Sequence, residues 1–163
     1  GLIGVIVATK LFSNKHNIDH FIFLDLVALS APIGIFFGRI ANFINSELYG
    51  TPTELPWSVK FILIDNISRH PSQLYEAFFE GIVLFFILGF FFKKNYLDKP
   101  GLISGLFLIF YSIFRFILEF LRVPDDQLGY LMLNLSMGQI ISLIFILLGI
   151  ILFYFKNENN QIN

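Results

Sequence analysis

No cysteine occurs in the 163 residues, which excludes disulfides, thiolate metal sites and a cysteine nucleophile from this stretch of chain. Any thiol chemistry must use a thiol that a partner brings. Charge is scarce as well. Only 14% of the residues are Asp, Glu, Lys or Arg, against about 25% in an ordinary soluble domain. The formal net charge of −1 offers no basic surface for nucleic acid. Apolar side chains take up the space: 56% of the residues are hydrophobic and 18% aromatic, with 22 Phe. That composition belongs to a membrane protein.

The chain opens on Gly1 and runs directly into LIGVIVATKLF, with no Met and no charged lead-in. This apolar stretch ends at Lys10, short of the roughly 20 residues a spanning helix needs. It also lacks the basic region and small-residue cleavage site of a signal peptide. It reads as the second half of a helix whose first half precedes residue 1, so an N-terminally truncated chain is expected. Four further apolar stretches follow, over residues 21–37, 74–92, 102–121 and 131–155. Asp25 interrupts the first, and Pro32 is its expected kink. Glu76 and Glu80 lie near one end of the second, and Arg115 and Glu119 near the far end of the third. The last carries Asn134, Ser136 and Gln139 at its start.

Apolar residues run continuously in these stretches instead of alternating, which argues for helices over strands. The fold class expected is all-α: a polytopic transmembrane helical bundle of about four complete spans plus the truncated one, forming a single integral membrane domain over residues 1–163. Residues 157–163, rich in Asn, are expected to be a disordered tail. Lys10 and Lys15 flank the first loop, Lys93, Lys94 and Lys99 the third, and Lys156 the tail. The positive-inside rule assigns these to the cytoplasm, together with the C-terminus. The segment 38–73 and residues 122–130 then face the outer side.

Three polar segments stand out against this background. The first, GRIANFINSELYG at 38–50, places Arg39, Asn42, Asn45 and Glu47 directly after an apolar run. Polar groups at the edge of lipid cost free energy unless they have partners or a task. On a helix Arg39 and Asn42 share a face, as do Asn42 and Asn45. A guanidinium suits a phosphate, to which it donates two parallel hydrogen bonds. Asn can bind ester or glycerol oxygens, and Glu47 can hold Arg39 in position. The structural alternative is a polar cluster that merely ties a loop to the bundle.

The second segment, HPSQLYE at 70–76, has Pro71 suited to a helix start, with Gln73, Tyr75 and Glu76 in the first turns. His70 could act as a base near neutral pH. Alternatively His70 and Gln73 cap the helix and Tyr75 sits in the aromatic belt. In the third, FRFILEFLRVPDDQLG at 114–129, Arg115 and Glu119 are one helical turn apart, followed by Arg122 and by Asp125 and Asp126. A structural ion pair is the plain alternative there. His16 and His20 have the spacing of a metal pair but only Asp19 beside them, so no metal site is expected. Ser136–Met137–Gly138–Gln139 suggests close helix packing through Gly138.

These three segments, in this order, resemble prolipoprotein diacylglyceryl transferases, and the resemblance covers essentially the whole chain as the C-terminal part of that family. It implies a transferase of lipoprotein biosynthesis in the bacterial cytoplasmic (inner) membrane. Family members move the diacylglyceryl group of phosphatidylglycerol to the lipobox cysteine thiol of a prolipoprotein signal peptide. Glycerol phosphate leaves and a thioether remains. The expected partners are therefore phosphatidylglycerol, the prolipoprotein and the bilayer, with no nucleic acid, no metal and no cofactor.

Carried over residue by residue, the resemblance implies catalytic roles for Glu47, His70, Arg115 and Glu119. It implies phosphatidylglycerol binding by Arg39, Asn42, Asn45, Gly50, Gln73, Tyr75 and Arg115. Tyr49 stands where many members have Trp. A His-Gly pair precedes the family stretch that aligns with Gly1–Leu2, and its His is a favoured general base, so that base is expected upstream of residue 1. The competing classes are a transporter or channel subunit with Arg115 and Glu119 lining a pathway, which lacks the paired repeats such folds often show, and a structural scaffold.

Overall fold

The computed structural model describes residues 2–94, 99–123 and 135–159. Pro124, Asp125, Asp126 and residues 131–134 lie outside these, as do residues 160–163 of the expected tail. Helix α1, Leu2–His16, continues past Lys10. Asn17 closes it with φ 54°. That left-handed residue lets the Ile18 N–H donate back to the Ser13 carbonyl at 3.1 Å, which satisfies a terminal acceptor. The next helix is capped at once, since Asp19 Oδ1 accepts from the Phe21 N–H at 2.7 Å.

Helix α2, His20–Ile44, encloses a fully buried Pro32 and outruns the 21–37 stretch. No breaker intervenes, so Gly38, Arg39 and Asn42 are helical. The helix ends where Asn45 caps it and the chain turns through Ser46 and Leu48, both at positive φ (58° and 55°). After a small hairpin comes helix α3, Ser72–Lys93. Its middle, Ala77–Val83, is wound as a π-helix between α-helical ends, a form that often marks functional positions. Helix α4, Leu102–Leu118, tightens into a 3₁₀ turn at Glu119–Leu121. Helix α5 spans Met137–Asn159, so Asn157 and Asn159 are still helical.

Four of these helices are long and apolar enough to cross a membrane, within His20–Ile44, Ser72–Lys93, Leu102–Leu121 and Met137–Phe155. The architecture is therefore a polytopic helical bundle, as the composition requires. Among the described residues strands occur only outside the spans: β1, Val59–Lys60, and β2, Ser68–Arg69, pair antiparallel with Val59 opposite Arg69.

The buried apolar core is small, centred on Ala28, Leu84, Leu88, Ile103 and Leu106. Small residues bring the helices together, as expected where lipid offers no hydrophobic drive between them. At the α4–α5 crossing, a Cβ added to Gly149 would stand 2.9 Å from the Gly105 carbonyl oxygen. Asp25 ties α2 to α4. Fully buried, it accepts from the Gly101 and Ser104 N–H groups, each at 2.7 Å, and from Ser104 Oγ at 2.6 Å. A carboxylate on α2 thus satisfies orphan donors at the start of α4, where the helix dipole favours negative charge.

Candidate functional site

At the opposite end of α2 and α4 from Asp25, the three polar segments meet through their backbones. The Gly50 N–H donates to the His70 carbonyl at 3.1 Å, and the His70 N–H donates to the Thr51 carbonyl at 3.0 Å. On the other side, the Thr51 N–H donates to the Leu121 carbonyl at 3.0 Å and the Val123 N–H to the Tyr49 carbonyl at 3.3 Å. Tyr49–Thr51 is the middle rung between the second and third segments. Only glycine fits at its centre, because a Cβ on Gly50 would reach 2.7 Å from the Leu121 carbonyl oxygen and closer still to that of His70.

Below this rung the charges gather. Glu76, fully buried in the first turns of α3, receives an arginine on each oxygen. Arg39 Nη1 lies 2.9 Å from Oε2, and Arg115 Nη1 lies 2.7 Å from Oε1. Glu80, also fully buried, pairs with Arg39 Nη2 at 3.1 Å, and its second oxygen stands 4.0 Å from Arg115 Nη1. Arg115 Nη2 reaches Glu119 Oε2 at 2.6 Å, one helical turn on. Glu119 Oε1 accepts from Ser136 Oγ at 2.9 Å. The network runs from α2 through α3 and α4 to the start of α5. Charges this deep require partners, because an unpaired ion out of water is costly.

Gly138 lets α5 approach that network. A Cβ there would stand 2.7 Å from Glu119 Oε1, so the close packing expected of Gly138 is against a carboxylate. Arg39 keeps one face open. With Ile35, Gly38 and Asn42 it lines a groove of about 250 Å³ along α2.

Arg39, Arg115 and Glu119 are thus joined, and Asn42 lies beside Arg39. Sequence reasoning passed over Glu76 and Glu80 as site residues, although two carboxylates one turn apart in an apolar run were the available signal. The carboxylates on Arg39 are theirs. Glu47, expected to be able to hold Arg39 in position, is exposed beyond the end of α2, and its carbonyl accepts from Gln73 Nε2. Asn45 is likewise exposed at the helix cap. Gln73 is fully buried with Oε1 unpaired. Neighbouring Ser72 donates to the Leu48 carbonyl at 3.0 Å, holding that positive-φ turn.

Tyr75 Oη accepts from Trp57 Nε1 at 2.7 Å and lies 3.4 Å from His70 Nδ1. His16 and His20 sit on different helices, and among the described residues no cluster of three metal-binding side chains occurs. Outside the spans, Arg69 clasps Asp65 at 2.6 Å and lies over the Tyr49 ring. The guanidinium holds the Asp65 carboxyl below its ordinary value.

The arrangement presents two guanidinium groups on opposite oxygens of one carboxylate, with a groove beside one of them. Such a pair can receive an oxyanion bidentately and stabilise charge that develops on it. Residues 1–155 match the family model described as prolipoprotein diacylglyceryl transferase. A phosphatidylglycerol–prolipoprotein diacylglyceryl transferase of Rickettsia bellii is 54% identical over 153 residues, covering 93% of this chain and 58% of the relative. One of Rhodospirillum rubrum is 52% identical over 155 residues, 94% of this chain and 57% of that protein. One of a Wolbachia of Brugia malayi is 46% identical over 165 residues, the whole of this chain and 62% of the relative. The chain therefore spans less than two thirds of the length of these relatives.

Proposed function

The chain belongs to the prolipoprotein diacylglyceryl transferase family, and on that premise we propose that the protein carrying it transfers the diacylglyceryl group of phosphatidylglycerol to the lipobox cysteine of a prolipoprotein. The cysteine sulfur attacks the glycerol carbon that bears the phosphate ester. A C–S bond forms, the C–O bond to phosphate breaks, and glycerol phosphate leaves with the electron pair. The thiol proton passes to a base. The absence of cysteine from the chain fits this chemistry, since the nucleophile arrives with the substrate.

The observation that carries the reading is the bridging of Arg39 and Arg115 by Glu76. Glu76 spaces two cations that would otherwise repel, and the phosphate meets them already oriented, which is what stabilises a leaving group as its charge grows. Glu119 aligns Arg115, and Asn42, lining the groove with Arg39, is placed for a headgroup oxygen. Gly50, with no room for a side chain, locks the rung above them. Asn45, Gln73 and Tyr75 complete the proposed lipid-binding set, and Glu47 and His70 remain candidates for proton handling. The site faces the outer side of the bacterial cytoplasmic membrane, where a secreted precursor emerges, and the C-terminus lies in the cytoplasm.

The test is Arg39→Lys and Arg115→Lys in the full-length protein, with lipidation of a lipobox peptide followed in phosphatidylglycerol vesicles. A point ammonium cannot reproduce the two-pronged fork, so each variant should lose about 10²-fold or more in rate, the scale of one lost oxyanion donor. Wild-type rates in both would remove the guanidinium groups from the mechanism.

A further inference from the structure

The hairpin above the site ends in a turn unlike the rest of the segment outside the spans. Ile64 and Asp65 N–H groups both donate to the Phe61 carbonyl, at 2.8 and 3.0 Å, which leaves Ile62, Leu63 and Ile64 at the tip. Ile62 is 81% exposed and Leu63 80%, and Ile64 is exposed as well. Three consecutive aliphatic side chains at a tip are not needed to close a hairpin. A contiguous apolar patch of this kind marks a surface that meets something apolar.

Phe61 decides what that is. It is buried, with its ring 5.9 Å from that of Phe43 and 6.1 Å from that of Tyr49. Phe43 lies in the last turn of α2, a helix long and apolar enough to cross a membrane. The turn is therefore folded back beside the last turn of α2, and the end of a helix that spans lies where acyl chains meet headgroups. Neighbouring side chains suit that level. Ile44 is exposed beside Phe43, Trp57 is exposed with its indole N–H on Tyr75, and Lys60 is exposed directly before Phe61. Tryptophan and tyrosine prefer this interface, and lysine reaches anionic headgroups from it. The acidic residue of the turn, Asp65, is already neutralised by Arg69.

We propose that residues 62–64 form a membrane-dipping finger whose aliphatic tip enters the lipid interface, with Phe61 as its hinge onto α2 and Lys60 at the headgroups. The occupant of this apolar surface is the bilayer itself. The finger fixes the hairpin, and through the Pro52–Arg69 bridge and the Gly50–His70 hydrogen bond the rung over the arginines, at a set height above the lipid.

The experiment introduces Leu63→Cys, or independently Ile62→Cys, into the full-length protein after removal of any reactive thiol elsewhere, and attaches an environment-sensitive fluorophore. Glu54→Cys, exposed on the same segment, is the control. In vesicles of phosphatidylcholine and phosphatidylglycerol, labels at 62 and 63 should emit to the blue of the label at 54. Lipids carrying a nitroxide high on the acyl chain should quench them and leave the control unchanged. Water-like, unquenched emission at both positions overturns the proposal. Blue-shifted emission that the lipid nitroxide does not quench also overturns it, because protein would then cover the tip.

Discussion

Arg39 and Arg115 hold opposite oxygens of the same carboxylate, with Nη1 atoms 2.9 and 2.7 Å from Glu76. Neither arginine touches the other's helix through this contact, yet the position of each depends on one residue of α3. Removing that residue leaves two half-buried cations facing one another, with Glu80 as their remaining shared neighbour.

Glu76→Gln should therefore destabilise the protein by about 3–5 kcal/mol, the cost of breaking a buried ion pair from one side. Thermal unfolding in detergent measures it. Glu119→Gln, whose partner Arg115 keeps Glu76, should cost clearly less. Equal losses would mean that the bridge is not the centre of the network.

Gly138→Ala places a methyl group 2.7 Å from Glu119 Oε1. The carboxylate must move, and it is bonded to Arg115. In the full-length protein the proposed transfer should slow while stability drops by only about 1–3 kcal/mol, as for overpacking elsewhere. At Gly50 the same methyl meets backbone carbonyls, which cannot swing aside, so Gly50→Ala should cost more stability than Gly138→Ala. The reverse order would contradict the rung.

Asp25→Ala leaves the Gly101 and Ser104 donors at the start of α4 without their acceptor. Each orphaned buried donor costs about 1–3 kcal/mol. A large fall in thermal stability is expected, with Asp25→Asn retaining part of it through its single carbonyl oxygen. Wild-type stability in Asp25→Ala would show that the cap is idle.

Acid should loosen the hairpin through Asp65. Its carboxyl is held low first by the hydrogen bond from Arg69, then by the Ile67 N–H. A depressed carboxylate stabilises the fold above its unfolded pKa, about 3.9, and loses that contribution as pH falls through its lower folded value. Protection of the amides at residues 65–69, measured against their intrinsic exchange rates, should fall in that acid range, and Asp65→Asn should remove this pH dependence of protection.

Hydropathy alone was enough to establish the bundle, because a stretch of some 20 apolar residues has few stable options other than a spanning helix. The same physics made Arg39, Arg115 and Glu119 legible, since charge in an apolar run requires a partner. Where a helix stops was less visible. The 21–37 stretch ends on composition, whereas α2 ends at Ile44 on the positive-φ turn that follows, and that difference put Arg39 and Asn42 on the helix and left Glu47 beyond it.

Pairing was decided only in three dimensions. Nothing local links Glu76 and Glu80 to arginines on two other helices, and the π-wound stretch of α3 is a tertiary outcome with no sequence mark. Nor could spacing show that Asp25 caps α4, or that Phe61 folds onto Phe43. Composition and period determine which segments are helical and which polar residues are out of place. Which of those residues meet depends on how the helices cross, and that follows from close packing at Gly81, Gly105 and Gly149, a property of surfaces that come together only once the chain is folded.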